Sequence, residues 1–229
     1  MEYTSARELA GLMRSGALSC TELMSATLAR IDAVNPGLNA ICTRVDDETA
    51  MTMAQAMDEK LRSGQATGPL AGLPIAVKDL SATAGIRTTM GSRIFADHVP
   101  QEDSLMVQRL KAAGALVIGK TNTPEFGTGS HTYNDVFGVT RNPWNQDKTA
   151  GGSSGGAAVA LAAGMIALAD GSDMGGSLRN PAAFCGVVGF RPSLGRVPHW
   201  PNTMAWQSRL GVEGPMARDV ADCALLLSV

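Results

Sequence analysis

Charge is scarce in this sequence and nearly balanced. Charged residues make up 17% of the 229 positions, and 19 Lys and Arg against 21 Asp and Glu leave a formal charge of -2. Without a basic surplus, nucleic acid is not expected as a direct or main partner. Four cysteines, at positions 20, 42, 185 and 223, are too widely spaced for a C-x-x-C pair and are expected as reduced thiols rather than a disulfide framework. The three histidines, His98, His131 and His199, are equally dispersed, so neither a metal site nor a metal cofactor is expected. The N-terminus lacks the apolar core of a signal peptide, which predicts a cytoplasmic protein. Thr149–Ala169 carries no charge, but four of its first eight residues are glycine and only Ala157–Ala169 is strongly apolar. That length suits a buried helix and not a membrane crossing.

What is present is a 45% apolar, globular composition long enough to bury a real core. Residues 1–65 read as a helical segment. Leu9, Leu12 and Met13, then Leu23, Met24, Leu28 and Ile31, recur at helical spacing. Thr21 is a candidate cap for the second helix, Asn35-Pro36-Gly37 its end, and Asp46–Leu61 a third helix. From residue 66 to 229 the period changes. Leu73–Val77 is a predicted strand ending at Lys78-Asp79. Ser104–Ala113 reads as a helix stopped by Gly114, Ala115–Ile118 as a strand, Gly155–Ala169 as a helix and Gly186–Phe190 as a strand. This alternation predicts an α/β fold with a sheet covered on both faces. The apolar helix begun at Val220 stops at Val229 without a cap or polar tail, so the sequence is expected to be part of a longer domain.

Two motifs are decoys. Gly114–Thr121 matches G-x-x-x-x-G-K-[ST], but its inner residues Ala, Leu, Val and Ile are strand material and Asn122-Thr123-Pro124 does not open a helix, so no phosphate loop is expected. Gly151-Gly-Ser153-Ser-Gly155 matches G-x-S-x-G, yet no strand precedes it and only His199 follows, which is weak support for a Ser-His-Asp arrangement.

Serine and lysine make the better chemistry. Residues 151–189 hold ten glycines in 39 positions, together with Ser153, Ser154, Ser172 and Ser177. Glycine at that density lets backbone amides converge on a ligand. Asp173-Met-Gly-Gly-Ser177 would align N–H groups beside a hydroxyl, as an oxyanion hole requires, each donor contributing roughly 3 kcal/mol to barrier lowering. A tight turn with a surface serine meets the same spacing. Lys78, carried into an apolar site, would lose its charge and become a base; a solvated lysine at a strand end is the plainer alternative.

Several long motifs, in order, resemble the amidase signature family. They are Gly72-Leu-Pro-Ile-Ala-Val-Lys-Asp79, Gly119-Lys-Thr-Asn-Thr-Pro-Glu-Phe126, Thr140-Arg-Asn-Pro-Trp144, Gly151-Gly-Ser-Ser-Gly-Gly156, Gly171–Pro181, Ala183–Gly189 and Gly214-Pro-Met-Ala-Arg218. The resemblance implies an α/β/α sandwich with a mixed sheet, incomplete in this chain, and amide hydrolysis through a Ser–cis-Ser–Lys triad with no cofactor. Ser177 then corresponds to the nucleophile, Ser153, entered by a cis peptide, to the bridging serine, and Lys78 to the base. Backbone N–H groups of Met174, Gly175, Gly176 and Ser177 correspond to the oxyanion hole. Ser154, Asp173 and Arg179 correspond to loop supports, and Gly127 to a carbonyl lining the substrate pocket. Ala150 and Met174 depart from the residues most common in the family. The implied substrate is a small-molecule amide, and a homodimer or companion polypeptide would supply the rest of the fold. The glutaminase component of a glutamyl-tRNA amidotransferase, its A subunit, is the alternative within the same chemistry. His131-Thr-Tyr-Asn134 departs from the serine- and threonine-rich run usual in that component, which favours a free-standing amidase.

Overall fold

The computed structural model describes residues 1–65, 67–201 and 210–229. Among these, six strands form one mixed sheet. They are β1 (Ile41–Arg44), β2 (Pro74–Lys78), β3 (Leu116–Thr121), β6 (Leu168–Asp173), β7 (Val188–Gly189) and β8 (Val212–Ala217), and a separate hairpin pairs β4 (Tyr133–Asn134) with β5 (Gly138–Val139). The sheet order is β1-β3-β2-β6-β8-β7. β2 runs parallel to both β3 and β6, while β1, β8 and β7 pair antiparallel with their neighbours. Every residue of β2, β3 and β8 is buried, and for β2 and β3 this is why Leu73–Val77 and Ala115–Ile118 read as apolar runs and not as alternating ones. Among the described residues the α-helices are α1 (Ala6–Ser15), α2 (Cys20–Leu38), α3 (Asp47–Arg62), α4 (Leu105–Ala112), α5 (Gly155–Ala162), α6 (Arg179–Cys185) and α7 (Val220–Leu227). They complete an α/β/α sandwich in which α5 packs on β1, β2, β3 and β8, α3 on β3, and α7 on β6, β7 and β8.

The N-terminal helices follow from local chemistry. In α1 the residues Ala6, Leu9, Ala10 and Met13 form one buried stripe, Ser5 caps the start, and Gly16 closes the end with φ 75°. Ser19, and not Thr21, caps α2: its side chain accepts from Glu22 N while Glu22 reaches back to Ser19 N. Thr21 Oγ1 is taken by Asp58 Oδ2 at 2.6 Å instead. Pro36 does not end α2, which continues to Leu38 and turns at Asn39 with φ 52°. The Asn35 amide oxygen accepts from Ala40 N and Ile41 N, each at 2.9 Å, and steers the chain into β1. This strand, unread in the sequence, ties residues 1–65 to the sheet edge. Arg218 and Asp222 bind the ends of the chain together: Arg218 donates to Thr4 O and Ile166 O, and Asp222 accepts from Ala6 N at 2.7 Å and Arg7 N.

Two other differences from the sequence reading place the site. The expected helix Gly155–Ala169 stops at Ala162, turns at Gly164 with φ 69°, and re-enters the sheet as β6. The run Ala157–Ala169 is apolar throughout, so periodicity cannot separate a buried helix from a buried strand. β8 was also unread, because Glu213, Gly214 and Pro215 are residues that strands ordinarily avoid. Among the described residues no helix is long and apolar enough to cross a membrane.

Candidate active site

Lys78 is the last residue of β2 and its side chain is wholly buried. Its ammonium nitrogen lies among three hydroxyls: Ser153 Oγ at 2.8 Å, Ser154 Oγ at 2.9 Å and Ser172 Oγ at 2.9 Å. Burial pushes this amine down to about 7, against the opposing pull of Asp170, Asp173 and Glu213. An ammonium donates to three acceptors, whereas a neutral amine has two N–H groups and one lone pair. When Lys78 is neutral, one of the three hydroxyls must therefore donate to it. The arrangement can accept a proton from a serine without rearranging.

Each partner is positioned by the fold. Ser153 and Ser154 lie at the entrance to α5, and the Gly152–Ser153 peptide is cis. A side chain at Gly152 would meet the backbone of Ser130 and His131 at about 3 Å, so the loop closes only with glycine there. Thr132 Oγ1 clasps both sides of this loop, donating to Gly151 O at 2.9 Å and accepting from Gly155 N at 3.1 Å. Ser172 belongs to β6, and its backbone N–H donates to Ser154 Oγ at 3.2 Å. The backbone N–H of Lys78 donates to Asp170 Oδ1 at 2.8 Å, and burial pushes the Asp170 carboxyl up to about 6.

Beyond β6 the chain folds over Asp173. Burial acts to raise this carboxyl, but Arg179, bound through Nε at 2.9 Å and Nη2 at 3.0 Å, and the N–H groups of Gly176 and Leu178 bring it down to about 2. Arg191 adds a further contact at 3.3 Å. The 174–177 turn is thus wrapped around a buried anion, which corrects one expectation: the Gly176 N–H points at Asp173 Oδ1, 2.8 Å away, and is already engaged. The N–H groups of Met174, Gly175 and Ser177 have no such partner among the described residues. Ser177 is half-buried, and its carbonyl accepts from Ser154 N at 3.2 Å, which places the two serine loops against each other. Among the described residues Ser177 Oγ makes no hydrogen bond, so the structure brings Lys78, Ser153, Ser154 and Ser172 into one bonded cluster and leaves Ser177 outside it, on the cleft that Ser172 also lines.

Ser172, Ser177, Met174 and Gly175 line one cleft of about 550 Å³, with Leu80, Phe126 and Gly127 opposite. Gly127 has φ 69°, and a Cβ there would stand 2.7 Å from Leu80 Cδ1 and 3.6 Å from Ser153 Oγ. His199 and Glu213 line the same cleft and are bonded to each other, Nδ1 to Oε1, at 2.9 Å. The histidine is therefore near the serines but bonded elsewhere. The sequence reading named Ser172 without a role and missed Thr132, Asp170 and Glu213. Nothing local signals Glu213, since only the β6–β8 register sets it opposite Ser172. Residues 114–121, the phosphate-loop decoy, form β3 and the turn before it. Among the described residues no three His, Cys, Asp or Glu side chains group as metal ligands.

Known proteins resemble this chain along nearly its whole length. The amidase family matches residues 22–229. Over 227 residues, 99% of this chain, the sequence is 48% identical to the A subunit of the glutamyl-tRNA(Gln) amidotransferase of Carboxydothermus hydrogenoformans, of which it covers 46%. The corresponding protein of a Roseiflexus species is 48% identical over the whole chain, again with 46% of its length covered. A bacterial aryl acylamidase of the amidase signature enzymes superposes with a TM-score of 0.93 at 38% identity, covering 99% of this chain and 47% of that one. A 6-aminohexanoate cyclic dimer hydrolase superposes at 0.90 and 38% identity, covering 100% and 46%. The chain thus spans about half the length of the relatives it matches.

Proposed function

The chain belongs to the amidase signature family, and from that premise we propose that it cleaves an amide C–N bond through an acyl-enzyme on Ser177. One observation carries the reading: a buried amine at Lys78, brought down to about 7, is bonded both to the Ser153 hydroxyl and to that of Ser172, which lines the same cleft as Ser177. In this mechanism Lys78 takes the Ser153 proton as Ser153 takes that of Ser177. Ser177 Oγ attacks the amide carbonyl, and the N–H groups of Met174, Gly175 and Ser177 receive the oxyanion. Ser153 then returns a proton to the departing nitrogen, with Lys78 resupplying it. Water, deprotonated by the same route, releases the carboxylate. Asp173 and Arg179 act by holding the 174–177 turn, Ser154 by fixing Lys78 and the Ser177 carbonyl, and Gly127 by leaving room for substrate.

The substrate in this reading is a small-molecule amide, supported by the likeness to the aryl acylamidase and the cyclic-dimer hydrolase. A second reading takes glutamine as the amide and passes ammonia to a partner, as the glutaminase component of an amidotransferase would; the 48% identity to such proteins favours it over the His131-based preference drawn from the sequence. In either case a companion polypeptide or second copy of the chain completes the walls of the cleft, and the protein works in the cytoplasm. Ser177→Ala is expected to abolish turnover and covalent labelling by a fluorophosphonate, and Lys78→Ala to collapse labelling across neutral pH. Full-rate labelling of Ser177→Ala would place the nucleophile elsewhere. Release of ammonia from glutamine against release of amine from aryl and aliphatic amides separates the two substrate classes.

A further inference from the structure

Three carboxylates act on the Lys78 amine: Asp170, Asp173 and Glu213. A carboxylate at close range favours the ammonium form and would spoil a base. Asp173 is neutralised by Arg179 and Arg191. Asp170 turns its oxygen to the Lys78 backbone N–H, and the charge of Lys120 opposes its own. Glu213 is handled differently. Antiparallel pairing sets it opposite Ser172, and side chains so opposed emerge on one sheet face with Cβ atoms about 5 Å apart. Ser172 Oγ is the atom that touches Lys78 Nζ at 2.9 Å, so Glu213 stands next to the hydroxyl that holds the amine. Its buried carboxylate is capped from the cleft side by His199 Nδ1 at 2.9 Å.

We propose that His199 is a positioning residue for this chemistry: by pairing with Glu213 it shields from Lys78 a carboxylate that would otherwise hold the amine protonated. The contact itself favours a charged imidazole, since the bond to Glu213 raises the proton affinity of His199 against the effect of partial burial. The charged groups facing Lys78 are Asp170 and Asp173 on β6 and Glu213 on β8; the group facing His199 is Glu213. Removing either member of the pair then has opposite consequences. Without His199, Glu213 acts unopposed on Lys78. Without Glu213, the strongest remaining reason for His199 to be charged is gone, and so is one of the three carboxylates favouring the ammonium.

The inference rests on Lys78 being the base that activates Ser177, and the experiment separates the two. The rate of Ser177 labelling by an uncharged fluorophosphonate is measured across pH in the wild-type chain and in variants. His199→Gln is expected to move the acid limb to higher pH by roughly half to one unit, His199 being partly exposed and its charge screened. Glu213→Gln moves the limb to lower pH, the double variant follows Glu213→Gln, and His199→Lys, which keeps a cation, restores the wild-type position. A purely structural His199 would lower the rate at every pH without displacing the limb, and that result overturns the inference. So does displacement of the limb in the same direction by both single variants. If the wild-type chain fails to label at Ser177, or Lys78→Ala keeps the acid limb, the catalytic reading itself fails and the role of His199 falls with it.

Discussion

Burial of Lys78 carries a cost that can be measured without any substrate. Its amine titrates at about 7 in the fold, against about 10.4 for a free lysine. Between these two values the unfolded chain binds the proton and the folded chain does not, so stability rises with pH across that window. Below about pH 7 both states are charged and the full penalty applies, on the order of 5 kcal/mol at 1.36 kcal/mol per pH unit. By about pH 9 some 3 kcal/mol of it has been relieved. Lys78→Met keeps the apolar stem and removes the titration. It also removes the donor that Ser153, Ser154 and Ser172 share, a loss of about 1 kcal/mol for each hydrogen bond. The variant is therefore expected to be more stable than wild type in mild acid and to lose most or all of that advantage in alkali. Urea denaturation of both proteins at about pH 6 and 9 reads the difference, with effects at other groups common to both proteins cancelling to first order. A constant offset between them at the two pH values would refute the reasoning, because it would mean that Lys78 titrates alike in the folded and unfolded chains.

Asp173→Asn removes the anion gripped by Arg179, Arg191 and the 174–177 turn and is expected to destabilise the chain by about 3 kcal/mol at neutral pH. The folded carboxyl, at about 2, lies below the usual 3.8. Its contribution is thus present above 3.8 and lost as pH falls towards 2, so the gap between wild type and variant should close in that window when unfolding is followed by circular dichroism. A gap that persists in acid would show the aspartate acts by shape alone. Gly156→Ala places a methyl 2.3 Å from Asn122 N and 2.6 Å from Ala40 O. Both are backbone atoms that cannot swing aside, so a loss of about 3 kcal/mol is expected in urea titration, the upper end for overpacking; a neutral result would mean α5 does not sit on the sheet as described.

How far the site could be read in advance depends on the range of the interactions that build it. Lys78 was legible because Leu73–Val77 is an unbroken apolar run and a lysine at its end has few places to go. The serines were legible because glycines cluster around them. Thr21 misled because its spacing suits a cap, while the fold engages it with Asp58 from another helix. β6 was lost inside an apolar stretch that helix and strand share, and β8 because Glu213, Gly214 and Pro215 argue against a strand. The Gly176 N–H was counted as a free donor because its position relative to Ser177 is set by sequence, whereas its engagement depends on where the Asp173 side chain folds back. Asp170, Thr132 and Glu213 share a cause: each acts on a residue far away in the chain, and no local pattern reports that.

The same topology explains why these distant residues meet. β2, β3 and β6 are parallel, and the chain leaves β2 for β3 on one side but reaches β6 on the other. A crevice forms outside the carboxyl ends of strands where the order reverses in this way. Lys78 is at the carboxyl end of β2, the 125–127 turn with Gly127 follows that of β3, and the 174–177 turn follows that of β6. The antiparallel return of β8 brings Glu213 to the same end, because residues leaving β6 are paired with residues entering β8. The buried amine of Lys78 and the glycine-rich 174–177 turn are thereby both set by strand ends of one sheet. The serines at the start of α5 fill the space between, joined to Lys78 over 75 and 76 positions of sequence. An amine whose charge burial disfavours is useful only if a hydroxyl joins it to the solvent-facing cleft, and the sheet supplies one in Ser172, bonded to Lys78 and lining that cleft.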